Sequence, residues 1–515
     1  MRKFFGVSPW LVLTAFALRA ILYFYAPPHM SDNLEYIRLA ETFKHLAQSG
    51  MLTEEEIRQL AWISPLYSLI LAFLSIFIAR LEILQMIFSF MLDFATYIVL
   101  LKYFEVSNPK LKNLASVIYL FSPLLITTFH WALTESLFLL LLSLLLYVWK
   151  TGRPVWVMFL LCAFLYLTRP EGILFLIPVI FITVRRWRQF LIGTALFLLL
   201  VFPYLLMIRS FSGQAMLSTK TMPFLYGTML IYHNSYDADD REASRYDQFQ
   251  RLEWEWIGQT ALSTDKGLWV AKSRPEIDFV WYFKGLLFQS YMWFMTNCLH
   301  FFVYTLLPLD LIAMLCGLYL VRADRSFFLL FLLPFIVFPI GDLWTELDSP
   351  GTRHFAYLYP VFLPHLAVGY RYLADRFKIF NPIPAMIVLF LSTLILHPVY
   401  LPSYKQSSYG PNRVFLERCS ELDLSNSAIM VRDPWFAYEK QGKWHDQIRF
   451  DDNFEANLKL LGIDYVVIDE AYHYFFGKSR ELFDKPPPCL EKIFETSYQE
   501  YRFIIYKVKK SAGTA

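Results

Sequence analysis

His29-Met30-Ser31-Asp32-Asn33-Leu34-Glu35-Tyr36-Ile37-Arg38-Leu39-Ala40 follows an apolar run from Val7 to Ala26 and a Pro27-Pro28 break. If that run is a membrane span, this stretch is the first polypeptide beyond the bilayer, an acid-led helix start at the membrane rim. Arg2 and Lys3 precede the run, which is longer than the apolar region of a signal peptide and lacks a small-residue cleavage site. It therefore reads as a retained span with its N-terminus inside. Tyr36, Ala40, Phe43 and Ala47 then recur at helical spacing and Gly50 supplies a stop, so one face of this helix can lie on the membrane. Thr53 with Glu56 three residues on is a capping-box start for a second short helix.

Composition agrees with a membrane setting. The 515 residues are 56% hydrophobic and 18% charged, with a mean hydropathy of +0.40, against roughly 25% charged in soluble domains. Fold class is therefore an α-helical polytopic membrane protein. The 18% aromatic content suits lipid-facing walls and interfacial belts. A net charge of +3 is too small to argue for nucleic acid. The cysteines show no metal-type spacing; Cys162, Cys298 and Cys316 sit in apolar stretches, and Cys419 and Cys489 can pair only if the tail occupies an oxidising compartment.

The positive-inside rule orders the spans. Basic turns at Lys102 to Lys112, Lys150 to Arg153, Arg185 to Arg188, Arg322 to Arg325 and Arg371 to Lys378 are all placed inside without conflict. Counting Ile63 to Ala79 as a crossing would invert every later loop, so it reads as a re-entrant or membrane-edge helix, started by Ser64 and Pro65. The spans then lie near 8–26, 81–104, 113–130, 134–149, 154–168, 172–184, 189–211, 301–321, 326–341, 355–373 and 381–400, about eleven crossings. Those at 134–149, 154–168 and 172–184 fall short of the ~20 residues that fill a bilayer, which implies local thinning. A membrane domain over 1–401 thus carries a first external loop at 27–80 and a long one at 212–284, which holds Tyr236 to Arg241 and Trp254-Glu255-Trp256. From 402 to 515 the composition is that of a small soluble α/β domain. Its expected elements are strands at Ala428 to Val431, Asp464 to Ile468 and Tyr501 to Val508, with a helix from Asn453 to Leu461.

Each candidate polar residue has a structural role that accounts for it alone. Asp32 with Glu35 makes a capping pair, although a carboxylate there can also serve as a general base. Arg80 can snorkel from the end of an apolar helix, or its forked donors can grip a phosphate. Glu135 in Thr134-Glu135-Ser136 favours a helix N-terminus. Thr168-Arg169-Pro170-Glu171-Gly172 makes a tight turn with a local ion pair, and Asp348 to His354 makes an interfacial loop. The topology puts all of them on one external side. Asp93 differs, because mid-span it costs roughly 2.5–3.5 kcal/mol and must face the bundle interior.

In order and approximate spacing, Asp32-x-x-x-Tyr36-x-x-x-Ala40, Pro65-Leu66, Arg80, Thr134-Glu135-Ser136, Thr168 to Gly172 and Arg353-His354 resemble the GT-C glycosyltransferases. The branch is the one containing protein O-mannosyltransferases and the lipid A aminoarabinose transferase. The likeness runs over about the first 370 residues; the tail is similar to a small extra-membrane domain of some bacterial members. The family often has a second acid after the catalytic Asp, where this chain has Asn33.

The resemblance implies inverting sugar transfer from a polyprenyl- or dolichyl-phosphate donor to a protein, lipid or glycan acceptor, on the external side of a prokaryotic plasma membrane. It makes Asp32 the base and sets Arg80, Arg353 and His354 on the donor phosphate. Glu35, Tyr36, Glu135, Arg169 and Glu171 line the sugar and acceptor cavity, and no cofactor or metal is required for the leaving group. The rival reading is a non-enzymatic polyprenyl-lipid carrier or flippase with Asp93, Arg169 and Glu171 along a conduit; repeated span packing would mark it, and no internal repeat is evident.

Overall fold

The computed structural model describes residues 7–25, 31–52, 60, 64–78, 80–130, 133–184, 186–212, 308–320, 359–378, 383–384, 386–388, 391, 409–431, 434–445, 454–470, 479–498 and 501–509. The chain divides into two compact units, one helical and one made chiefly of Leu401–Ala515.

The helical unit opens with α1 (Pro9–Tyr25), and α2 (Ser31–Ser49) belongs to it from Glu35 onward. Gly50 ends α2 with φ +68 and an N–H bonded to the Leu46 carbonyl at 2.9 Å, the left-handed stop that glycine makes without strain. The expected start at Thr53 lies outside the described residues. Next, α3 (Leu66–Leu74) has nine residues, about 13 Å of helix against a ~30 Å hydrocarbon core, so it is too short to cross. Pro65 precedes this helix rather than opening it, a shift of one residue from the expected cap. Leu69, Phe73, Ile76 and Phe77 remain exposed while Tyr67, Ser68, Leu71 and Ala72 are buried, so one apolar face is left open.

Then come α4 (Leu81–Ser107), α5 (Lys112–Phe121), α6 (Pro123–His130), α7 (Thr134–Lys150), α8 (Val155–Thr168), a 3₁₀ turn (Pro170–Phe175), α9 (Leu176–Thr183) and α10 (Trp187–Ser212). The single span expected at 113–130 is instead two helices. Ser122, preceding Pro123, takes an extended backbone with ψ 119, as the proline ring forbids the helical region to its predecessor. The span expected at 172–184 likewise begins as 3₁₀ and retains only eight α-helical residues in α9. Two helices among the described residues are long and apolar enough to cross a membrane alone, Leu81–Ser107 and Trp187–Ser210. Within the positions expected at 301–321 and 355–373 lie α11 (Pro308–Leu320) and α12 (Tyr359–Arg376). They meet where Gly317 faces the His365 backbone and Gly369 faces that of Ala313, with no room for a Cβ, and Tyr370 donates to Asp310 beside this contact. The span expected at 326–341 and most of 381–400 lie outside the described residues, as does the 213–284 part of the long loop.

The polarity of α4 states its surroundings. Ile83, Ile87, Met91 and Phe94 form its exposed edge, whereas Gln85, Ser89, Asp93 and Thr96 are buried. Apolar outside with polar inside is the order expected where the outer surface meets hydrocarbon. Asp93 Oδ2 lies 3.2 Å from Arg19 Nε of α1, both side chains sealed from solvent, and Tyr119 of α5 donates to Asp93 Oδ1 at 2.7 Å. Arg19 also donates to the Tyr119 carbonyl at 3.0 Å and sits over the rings of Phe16 and Tyr119.

In the second unit, α13 (Tyr409–Arg418) leads to β1 (Ala428–Met430), α14 (Pro434–Glu439), β2 (Lys443–His445), α15 (Phe454–Leu460), β3 (Tyr465–Asp469), α16 (Ser479–Asp484), β4 (Leu490–Tyr498) and β5 (Tyr501–Val508). The sheet order is β2-β1-β3-β5-β4, with β1 parallel to both neighbours and β5 antiparallel to both of its own. Strands β2 and β4 were not legible in the sequence. Alternation along β3 and β5 sends Val466, Ile468, Ile504 and Tyr506 to one face with Phe454, Leu458, Leu482 and Cys489. It sends Val467, Phe503 and Ile505 to the other with Phe415, Phe436 and Cys419. The two tail thiols are therefore buried and free on opposite faces, and the pairing held open above does not form.

Candidate active site

Four of the expected site residues come together in the helical unit, and a proline brings one of them there. Arg169 precedes Pro170, so its backbone is extended (φ −151, ψ 137), which ends α8 and turns the chain into the 3₁₀ segment carrying Glu171. Gly172 packs its α-carbon against the Leu165 backbone with no space for a side chain, which ties the turn to the end of α8.

Arg169 Nη1 donates to Glu135 Oε1 at 2.9 Å, and Arg169 Nε lies 3.6 Å from Glu171 Oε2. Glu135 stands in the first turn of α7, where the helix dipole favours an acid, and its side chain is 1% exposed against 15% for Arg169 and 35% for Glu171.

Thr134 joins this pair to α2. Its hydroxyl donates to Glu135 Oε2 at 3.3 Å, and Tyr36 Oη of α2 stands 3.4 Å from the same hydroxyl. A threonine has one hydroxyl proton, so with that proton on Glu135, Tyr36 is the donor in the second contact. The Tyr36 ring meets Tyr67 of α3 edge-on at 5.5 Å, and Tyr67 in turn meets Phe88 of α4. Beneath, Ser136 and Ser89 share a bond of 2.6 Å, with Ser89 donating to the Phe129 carbonyl. The result is a polar chain from α2 through α7 to the end of α8, ending in two carboxylates around one guanidinium.

The other expected residues are placed as follows. Asp32 lies in the first turn of α2, one helical turn before Tyr36; because the helix begins at Ser31, it is inside the helix rather than its cap. Glu35 is half-buried on the same helix. Arg80 precedes α4 with an extended backbone, is exposed, and does not join the network. The side chain of Asp32, and Arg353 and His354 entirely, lie outside the described residues. Among the described residues no group of three or more His, Cys, Asp or Glu side chains is arranged to hold a metal.

Two residues escaped the sequence reading. Thr134 was legible only as part of a helix start, and nothing in its spacing marks it as the hub. Arg19 had a signal, a lone cation inside the first apolar run, which calls for an opposite charge such as Asp93 at membrane depth.

No family model matches the sequence, and no curated protein matches it. Among solved structures, the chain is similar to the crystal structure of ArnT from Cupriavidus metallidurans in the apo state. The two share 12% identity over 96% of this chain and 97% of that chain, with a TM-score of 0.43. A likeness at this level assigns no activity.

Proposed function

We propose that this chain is an inverting membrane glycosyltransferase of the GT-C type, moving a sugar from a polyprenyl- or dolichyl-phosphate donor to a protein, lipid or glycan acceptor. The observation that supports the reading is the bonded network of Tyr36, Thr134, Glu135, Arg169 and Glu171. It joins three separate sequence motifs, the first external loop, the Thr-Glu-Ser start and the Thr-Arg-Pro-Glu-Gly turn, which the conduit reading does not require to meet.

In this mechanism Asp32 accepts the acceptor's hydroxyl proton as its oxygen attacks the anomeric carbon. The bond to the lipid phosphate breaks on the opposite side, and the phosphate leaves as an anion neutralised by Arg80, Arg353 and His354. Glu35, Tyr36, Glu135, Arg169 and Glu171 shape the cavity around the sugar. No cofactor takes part in the reaction so written. The setting is a prokaryotic plasma membrane, with the site and the tail domain external.

The test is transfer from a radiolabelled polyprenyl-phosphate sugar by the reconstituted full-length protein. Asp32→Asn should bind donor as the wild type does while losing a factor of about 10²–10⁴ in turnover, the usual share of a general base. Persisting turnover in that variant removes Asp32 from the mechanism.

A further inference from the structure

The ends of α8 carry opposite chemistry. Its C-terminal end holds the acid-bearing network described above; its N-terminal end, 14 residues away, meets the start of α10, and the charged side chains described there are all cations. Glu171 is the only acid between Glu135 and Asp237, so neither the turn at Lys150 to Val155 nor the one at Arg186 to Gln189 has an acidic neighbour in sequence.

These two turns are built against each other. The Val155 N–H donates to Gln189 Oε1 at 3.4 Å, the rings of Phe159 and Phe190 meet edge-on at 5.7 Å, and Gly193 lies directly against the Phe159 ring. That packing gathers Lys150, Arg153, Arg186 and Arg188 at one end of the helical unit. Arg153, Arg186 and Arg188 are exposed, and among the described residues none of the three forms an ion pair. Trp156 and Trp187 are exposed beside them, with Arg188 over the Trp187 ring at 5.5 Å. Two helices also begin here, adding the partial positive charge of their N-termini.

The basic turns at Lys102 to Lys112 and at Arg371 to Lys378 differ. Glu105 lies 2.9 Å from Lys102 and 3.7 Å from Lys112, and Arg371 is paired with Asp375 at 3.0 Å. Those cations are balanced from within the chain, whereas Arg153, Arg186 and Arg188 have no ion pair among the described residues. Flanking tryptophans mark the depth of lipid headgroups, where an anion is at hand.

We propose that this cluster seats the phosphate of an anionic glycerophospholipid in the leaflet at that end of the helical unit. Arginine forks contact the phosphate oxygens while Trp156 and Trp187 lie among the glycerol and upper acyl carbons. The site lies outside the proposed active site and does not depend on the glycosyltransferase reading.

The test uses full-length protein in nanodiscs containing equal phosphatidylcholine and phosphatidylglycerol of matched chains, extracted into detergent, with retained lipid counted by native mass spectrometry. Wild type should retain phosphatidylglycerol over phosphatidylcholine by roughly tenfold or more. The Arg153→Gln/Arg186→Gln/Arg188→Gln variant should lose that preference, and Arg371→Gln should keep it. The proposal is overturned if wild type shows no preference, if the triple variant matches wild type, or if inorganic phosphate displaces the lipid. Should the triple variant not fold, raised salt applied to wild type gives the same decision, because exposed arginines act through a screening length of about 8 Å at physiological ionic strength. A preference that survives high salt is not theirs.

Discussion

Arg169 is the residue on which the network turns. Its guanidinium serves a carboxylate that is 1% exposed, so deleting it would strand Glu135 as a buried charge. Removing one partner of such a pair costs about 3–5 kcal/mol. Arg169→Met should therefore lower the stability of the helical unit by that order, read from chemical unfolding in detergent. Arg169→Lys should recover only part, because an ammonium cannot bridge two carboxylates as a planar fork does. The gathering of Glu135, Arg169 and Glu171 was foreseeable from side-of-membrane arithmetic, whereas Tyr36 entered the expected cavity through the family resemblance, its spacing pointing instead to a face laid on the membrane. Thr134 was not, because a hydroxyl beside an acid at a helix start looks the same whether or not another helix donates to it.

At the level of elements, proline sets the breaks. Hydropathy marks where a segment is apolar but not where its backbone must leave the helical region, so 113–130 looked continuous until Pro123 is given its effect on Ser122. The same rule at Arg169-Pro170 both ends α8 and aims Arg169 toward Glu135. The ion pair between Arg19 and Asp93 fastens α1 to α4 inside the helical unit. Either charge alone at that depth costs roughly 2.5–3.5 kcal/mol on insertion scales. Arg19→Met or Asp93→Leu should each destabilise the protein in a thermal unfolding series, and the double variant should regain most of the loss, since apolar side chains of similar volume replace buried ion pairs at little cost. Additive losses in that cycle would mean that the two helices are held by other contacts.

Across the whole molecule, the two units answer to different solvents. In the helical unit α4 turns Gln85, Ser89, Asp93 and Thr96 inward beneath an apolar outer edge, while the second unit buries Phe503 between Phe415 and Phe436 and leaves ion pairs on its surface. Glu495 on β4 accepts from Lys492 at 2.7 Å and from Arg502 at 3.0 Å, and these bonds hold its carboxyl below the ordinary value of 4.5. A depressed carboxyl favours the folded state through its anion. The contribution is complete above pH 4.5 and fades as pH falls through the lowered value. Hydrogen exchange of β4 and β5 in the full-length protein should show Glu495→Gln opening more readily than wild type near neutrality, with the difference vanishing in acid. The tail's three inner strands were legible because each is a short apolar run, whereas β2 is Lys443-Trp444-His445 with no apolar run and the exposed edge strand β4 carries charges that mask its period.

Cys419 and Cys489 also belong to this scale, with a full thickness of sheet between them and each thiol raised above its usual titration range by burial. Closing this sheet requires no oxidation of that pair. A hydrocarbon layer on each face of the sheet supplies its cohesion with both thiols reduced.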